Sequence, residues 1–429
     1  MKVFYALLSI VLITTLCFSQ TTFAKAPYEI ANEADNFINP SYNPKGTIVI
    51  ASKTGQVLYS DHADTKWPPA SMSKLMTLYI FMKEMDKGKI NYHTKVKVTD
   101  KFYNISKLPA LSNNRFRLNA EYTVEELMPI VITNSSNAAT FMLSSLVTKD
   151  DSDFVDMMNK EAKRLGMKHT KFYNPAGPPN NLLLQYKPER YQENTDNISS
   201  AKDFAILCQH LINEYPEIIK YTKQVNVTVK KGTIDEETFH TYNHSLEGAK
   251  LGYKSVDGLK TGSSDTAGFN TAITGTKNNM RIIQVMMGVE SWYDPPAEFN
   301  RNIMANAIMD KVYSEYKYKK VLSKGVHTIN GQELYVHEDL FDVVKKGMKG
   351  KFVFKDNQLS YHYDRDYVSD KYKAPSVKAE DNKKYERRIF FQENMWWIVL
   401  LSSLSIIAGI ALLVYYFKPE LFRKIWEDK

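Results

Sequence analysis

The chain has 429 residues, 43% of them hydrophobic and 24% charged, with a formal net charge of +8. This composition excludes a disordered or fibrous polypeptide and leaves material for two domains. A basic balance is compatible with nucleic acid, but both ends of the chain argue for export. The expected partner is therefore an anionic membrane surface or wall polymer and not nucleic acid.

Lys2, the apolar run 3–18 and the small-residue pattern Thr22-Phe23-Ala24 predict a secretory signal peptide, residues 1–24, cut before Lys25. Cys17 lacks a small residue before it and is not read as a lipoprotein site. The stretch "TIVIASKTGQVLYS" (47–60) predicts two strands around a turn at Thr54-Gly55. Helical spacing follows Ser71 to about Lys87 and stops at Gly88. Residues 123–147 predict two helices broken at 133–136, and 153–167 a third with a glycine stop. Residues 174–197 are polar and rich in Pro and Asn; a loop that long inside a compact domain points to function. Cys208, on a helix face, is a small core residue. Strands then run from 258 to 289, and a last helix over 297–313 carries Phe299, Ile303, Ala307 and Ile308 at helical spacing. The order predicts an α+β body over 25–317, an antiparallel sheet with helices packed on it.

From about Tyr318 apolar and polar residues alternate, and Asn330-Gly331 is a hairpin signal. This predicts a small β domain over 318–382. Residues 383–394, basic and then aromatic, read as a juxtamembrane linker or as an interfacial helix on the outer leaflet. Residues 395–417 carry no charge and are flanked by Trp396-Trp397 and Tyr415-Tyr416, which predicts a transmembrane helix with interfacial aromatic belts. Basic residues lie on both sides of it, so charge does not orient it. The signal peptide does: the body is exported, the span stops transfer, and 418–429 stay in the cytoplasm.

The chemistry starts at "PPASMSKLMTLYI" (68–80). Ser71 and Lys74 share a helix face. Serine suits a helix cap, but lysine there is disfavoured in its charged form. A neutral lysine is what a general base for serine must be. The tetrapeptide Ser-x-x-Lys recurs at 199–202 and 314–317. Among the Ser-x-Asn tripeptides are 112–114 and 135–137, and Lys-Thr-Gly falls at 53–55 and 260–262. Order and context select Ser71–Lys74 at a helix start, Ser135-Ser136-Asn137 between two helices, and Lys260-Thr261-Gly262-Ser263 on a strand. Residues 112–114 read as a polar loop and 53–55 as a hairpin turn.

That ordered triple resembles the active site of the penicillin-binding proteins and serine β-lactamases. "RLGMKHTKFYNPAG" (164–177) and "GLKTGSSDTAGFN" (258–270) are similar to the D-alanyl-D-alanine carboxypeptidase branch, the low-molecular-mass penicillin-binding proteins. The resemblance covers nearly the whole chain. It implies a β-lactamase/transpeptidase-like catalytic domain acting on peptidoglycan stem peptides ending in D-Ala-D-Ala, acylated by β-lactams, with no metal or cofactor. It implies Ser71 as nucleophile, Lys74 as its base and Ser135 as proton relay to the leaving amine. Asn137 would bind the substrate backbone, Lys260 would hold the local field positive, and Thr261 and Ser263 would bind the terminal carboxylate. Gly262 would let the substrate backbone approach, and the N–H groups of Ser71 and Ser263 would form the oxyanion hole. The loop after Asn174-Pro175-Ala176-Gly177 is longer than in many members, which leaves the acceptor open, and Ser264 and Asp265 receive no role. The Glu-x-x-Leu-Asn pattern of a β-lactam hydrolase is absent. A non-catalytic wall-binding scaffold is the other alternative, and none of the nine histidines is called for.

Overall fold

The structure, a computed structural model, describes residues 24–420. The expected signal peptide, Ala24 apart, and residues 421–429 of the expected tail lie outside them. The chain divides into two compact units. The first comprises residues up to Tyr318 together with Val343–Gly347 and Arg365–Lys373. Those two short segments lie in the stretch that alternation assigned to the small β domain. Burial explains the difference: Val368 joins the core of the first unit, and the carbonyl of Asp366 accepts from Val57 N–H at 2.9 Å.

The first unit is built on an antiparallel sheet of β1 (Gly46–Ala51), β2 (Val57–Asp61), β3 (Val256–Ser264), β4 (Gly268–Lys277) and β5 (Met280–Val289). The spatial order is β2-β1-β5-β4-β3, so the ends of the unit's sequence meet where β1 pairs with β5. The turn between β4 and β5 is Asn278-Asn279, both with positive φ, a conformation that asparagine tolerates and that matches strand twist. Both faces of the sheet are covered. Ile48, Ile50, Ile283 and Val285 enter one cluster, while their neighbours Val49, Ala51, Ile282 and Met286 enter another. This period-2 split explains why the strands read as near-continuous apolar runs.

The larger cluster holds α2 (Lys74–Met85), α3 (Val124–Thr133), α4 (Asn137–Ser145) and α5 (Ala201–Glu214); the other holds α1 (Pro27–Glu33) and α6 (Pro296–Glu315). Helix α3 starts on a capping box, Thr123 with Glu126, and Asn137 opens α4 after Ser136 caps it. The helix over Asp151–Leu165 ends at Gly166, which adopts φ +90°.

The second unit contains an antiparallel sheet in which Gln332–Val336 and Ser376–Asp381 are central neighbours. Its core is Leu334, Val336, Leu340, Leu359, Val377 and Ala379. Asn330-Gly331 forms its hairpin turn with both φ positive. The last strand runs directly into α7 (Asn382–Phe417). Residues 383–394, expected as a linker or an interfacial helix, are thus helical and continuous with the apolar stretch 395–417. No proline or glycine interrupts 382–408. Helix α7 is the one described helix long and apolar enough to cross a membrane.

Phe141 is fully buried among α2, α4 and their neighbours. Phe141→Ala is expected to lower stability by about 3–5 kcal/mol, read as the urea unfolding midpoint of the detergent-solubilised chain.

Candidate active site

Ser71 does not cap a helix through its side chain. It lies in a 3-10 turn, Ala70–Ser73, and α2 begins at Lys74; neither end carries a side-chain cap. The turn is held from three directions. Ala70 adopts φ +47°, a costly conformation for alanine that must be imposed by its surroundings. The N-P-A-G segment presses on it: a Cβ on Gly177 would stand 2.0 Å from the Ala70 carbonyl oxygen. Strand β3 presses from the other side, since a Cβ on Gly262 would stand 2.3 Å from the Pro69 oxygen and 2.8 Å from Met72 N. Gly262 is thus required by the nucleophile turn, which packs against it where a side chain would stand. Asn197 completes the clamp, donating to Ser73 Oγ at 2.8 Å and to the Asn174 carbonyl at 3.0 Å.

Lys74 is fully buried, and its Nζ lies 2.9 Å from Ser71 Oγ, 3.0 Å from Asn137 Oδ1 and 2.7 Å from the Ala176 carbonyl oxygen. Among the described residues no carboxylate pairs with it. Burial, and secondarily the charge of Lys260, hold it well below the ordinary lysine range. The orientation of Asn137 is fixed by its own N–H, which donates to the Ser112 carbonyl at 2.9 Å and turns Oδ1 to the lysine. Its second N–H stays available to a ligand.

The tripeptide Ser112-Asn113-Asn114, read as a polar loop, proves to be the support of the second motif. Asn113 Oδ1 accepts from Ala138 N–H at 2.9 Å, and Asn114 Oδ1 from Ser136 Oγ at 2.8 Å. Ser135, between them, adopts φ +61°; its Oγ is buried and bonds to no described residue.

Lys260 is buried on β3 and donates to the Thr261 carbonyl at 3.0 Å. Burial, helped by the charge of Arg301, pushes it down to about 7. Arg301, which the sequence did not single out, is wholly buried. It donates to Ser263 Oγ at 2.9 Å and to the Asn270 carbonyl at 3.0 Å. Burial pushes its guanidinium down to about 10, opposed by Glu298. No local motif marks it, because it reaches Ser263 from α6.

Ser71, Ser112, Ser135, Thr261 and Ser263 line one cleft of about 250 Å³, whose wall includes Phe269 stacked on Trp292 at 5.4 Å. The structure thus brings all three motifs to one place. The other copies stay outside it: Lys53-Thr54-Gly55 forms the β1–β2 turn, and neither Ser199–Lys202 nor Ser314–Lys317 lines the cleft. Strand β3 is a sheet edge, so its outward backbone groups have no strand partner. Among the described residues no group of three His, Cys, Asp or Glu side chains is placed to hold a metal ion.

A fold of this kind, with a serine in an open cleft paired to a buried lysine against an edge strand, is that of the penicillin-binding serine peptidases. Residues 33–291, more than half of the chain, match the D-alanyl-D-alanine carboxypeptidase family model, and the chain belongs to that family. Residues 318–380 match a domain of unknown function. The chain is 27% identical to D-alanyl-D-alanine carboxypeptidase DacF of Bacillus subtilis over 361 residues, 80% of this chain and 83% of that one. It is also 27% identical to the carboxypeptidase DacA of Haemophilus influenzae over 75% of each. Among solved structures it is similar to a peptidoglycan synthesis regulatory factor of Streptococcus pneumoniae, with a TM-score of 0.68 and 25% identity over 78% of this chain and 97% of that one. Penicillin-binding protein 5 of Haemophilus influenzae shares the fold, with a TM-score of 0.61.

The buried Lys260 gives a signed prediction. Its folded pKa, about 7, lies below the ordinary 10.5, so between those values the unfolded chain binds more protons. Stability therefore rises with pH through that window and is lower below it. In urea unfolding from pH 7 to pH 9, Lys260→Met is expected to lose part of this rise relative to the parent.

Proposed function

We propose that Ser71 attacks the carbonyl between two D-alanines of a peptidoglycan stem peptide, forming an acyl-enzyme, and that Lys74 is the base. The observation that supports this most directly is the set of partners around Lys74 Nζ. Asn137 Oδ1 and the Ala176 carbonyl are acceptors only. A neutral amine has two N–H donors and one lone pair. Two donors serve those two oxygens, which leaves the lone pair for the hydroxyl proton of Ser71. An ammonium would have no lone pair to offer, and the burial of Lys74 disfavours it.

The remaining roles are those the family resemblance implies, and the placement of the residues supports them. Ser135 Oγ, unbonded in the cleft, hands a proton to the departing amine. The free N–H of Asn137 binds the substrate's peptide carbonyl. Thr261 and Ser263 hold the terminal carboxylate, with Lys260 and Arg301 supplying positive charge behind them. The N–H groups of Ser71 and Ser263 stabilise the oxyanion. The acyl group then passes to water, trimming the peptide, or to an amine, cross-linking it. A β-lactam presents its ring carbonyl to the same serine. Helix α7 anchors the enzyme through 395–417, with the catalytic unit on the outer face, 418–429 in the cytoplasm and residues 1–24 removed on export.

Incubation of the detergent-solubilised chain with penicillin, followed by intact-mass analysis, is expected to show one added drug mass that Ser71→Ala abolishes. An adduct on both proteins would place the nucleophile elsewhere. Lys74→Arg puts a permanent cation there, with no lone pair at any accessible pH. Its acylation rate is expected to fall by about 10²–10⁴, measured as the second-order rate of adduct formation.

A further inference from the structure

Among the side chains lining the cleft with Ser71, one is a carboxylate, Glu298. It comes from the first turn of α6 and is about one-third exposed (31%). The His244 ring and then the Arg301 guanidinium hold it below the usual carboxylate range, against the effect of burial. Both neighbours stand 3.6 Å away, an ion-pair distance longer than a hydrogen bond. Arg301 directs its N–H groups instead to Ser263 Oγ, the Asn270 carbonyl and the Tyr242 carbonyl. The cleft therefore contains an ionised carboxylate with unused acceptor capacity, and Arg301 ties it to the Ser263 side, where the leaving D-alanine is placed above.

We infer that Glu298 receives the ammonium group of an acceptor peptide and so directs the acyl-enzyme toward amide formation. The inference rests on the reading of Ser71 as the acylated nucleophile. D-Alanine departs as an amine and gains a proton, so a carboxylate beside it stabilises the product. The reverse step shows where an acceptor amine must enter: the same position. There the acceptor ammonium gives up one proton, its nitrogen attacks the ester carbonyl, and a C–N bond forms as the bond to Ser71 Oγ breaks. Lys74 returns a proton to Oγ, and one proton is released to solvent overall. Water carries no charge for Glu298 to attract, so the carboxylate favours the amine over hydrolysis.

The test follows the product ratio of aminolysis to hydrolysis by the detergent-solubilised full chain. The donor is diacetyl-L-Lys-D-Ala-D-Ala. The acceptors are triglycine, a cation at neutral pH, and hydroxylamine, which is uncharged there. Glu298→Gln is expected to lower the triglycine ratio about tenfold, the scale of a hydrogen bond to a charged group, and to leave the hydroxylamine ratio unchanged. Because each ratio is taken per acyl-enzyme, the folded fraction cancels. Glu298→Ala, read the same way, stands in if the Gln variant does not fold. An unchanged triglycine ratio, a parallel fall for both acceptors, or a parent that only hydrolyses would overturn the inference. A parent that forms no penicillin adduct would instead overturn the reading of Ser71 itself.

Discussion

A lysine amine buried among neutral oxygens is the constraint on which the catalytic unit depends. Water would solvate a charged Lys74 far better than this pocket does, so the fold is paying a cost that only a specific arrangement can contain. That arrangement draws on three segments distant in sequence: the turn of Ser71, the start of α4 at Asn137, and the N-P-A-G segment at Ala176. Each is fixed in turn by something else. Asn137 is oriented by Ser112, the N-P-A-G segment by Asn174 and Asn197, and the turn by the absent side chains of Gly177 and Gly262. The site is held because each segment that touches the lysine is itself fixed by contacts elsewhere.

The same economy shapes the charge of the cleft. Lys74, Lys260 and Arg301 are all buried, and each is lowered first by burial and then, for the two lysines, by a like charge nearby. Their fates differ by partner. Lys74 meets only neutral acceptors, and burial disfavours its charged form. Arg301 keeps its own, with Glu298 beside it and a pKa still about 10. One cleft thus holds a lysine driven away from its charged form and an arginine that keeps its charge, under the same desolvation.

Much of the sheet and most helices were legible because they rest on local pattern: alternation in β1, helical spacing in α3 and α4, and the glycine stop at Gly166. The order of the three motifs was legible too, although each recurs. What was not legible depends on contacts across the chain. Ser112–Asn114 looked like any polar loop until its amides were seen to meet Ser136 and Ala138. Arg301 and Glu298 lie one helical turn apart on an ordinary helix, and nothing in their spacing points 38 residues back to Ser263. The need for glycine at 262 is likewise tertiary, since the packed turn stands where its side chain would be. In the second unit, residues 383–394 were ambiguous because charge and aromatic content suit both a linker and a helix. The absence of any helix breaker decided the matter.

That continuous helix has a mechanical consequence. Asp381 ends the last strand and caps α7, Tyr385 stacks on Tyr335 at 3.5 Å, and Arg388 meets Glu380 at 2.5 Å. The sheet of the second unit is therefore mounted on a mast, not tethered by a cord. Residues 382–394 raise it by about 20 Å at 1.5 Å per residue. With no joint to absorb motion, any tilt of α7 swings the sheet through the same angle.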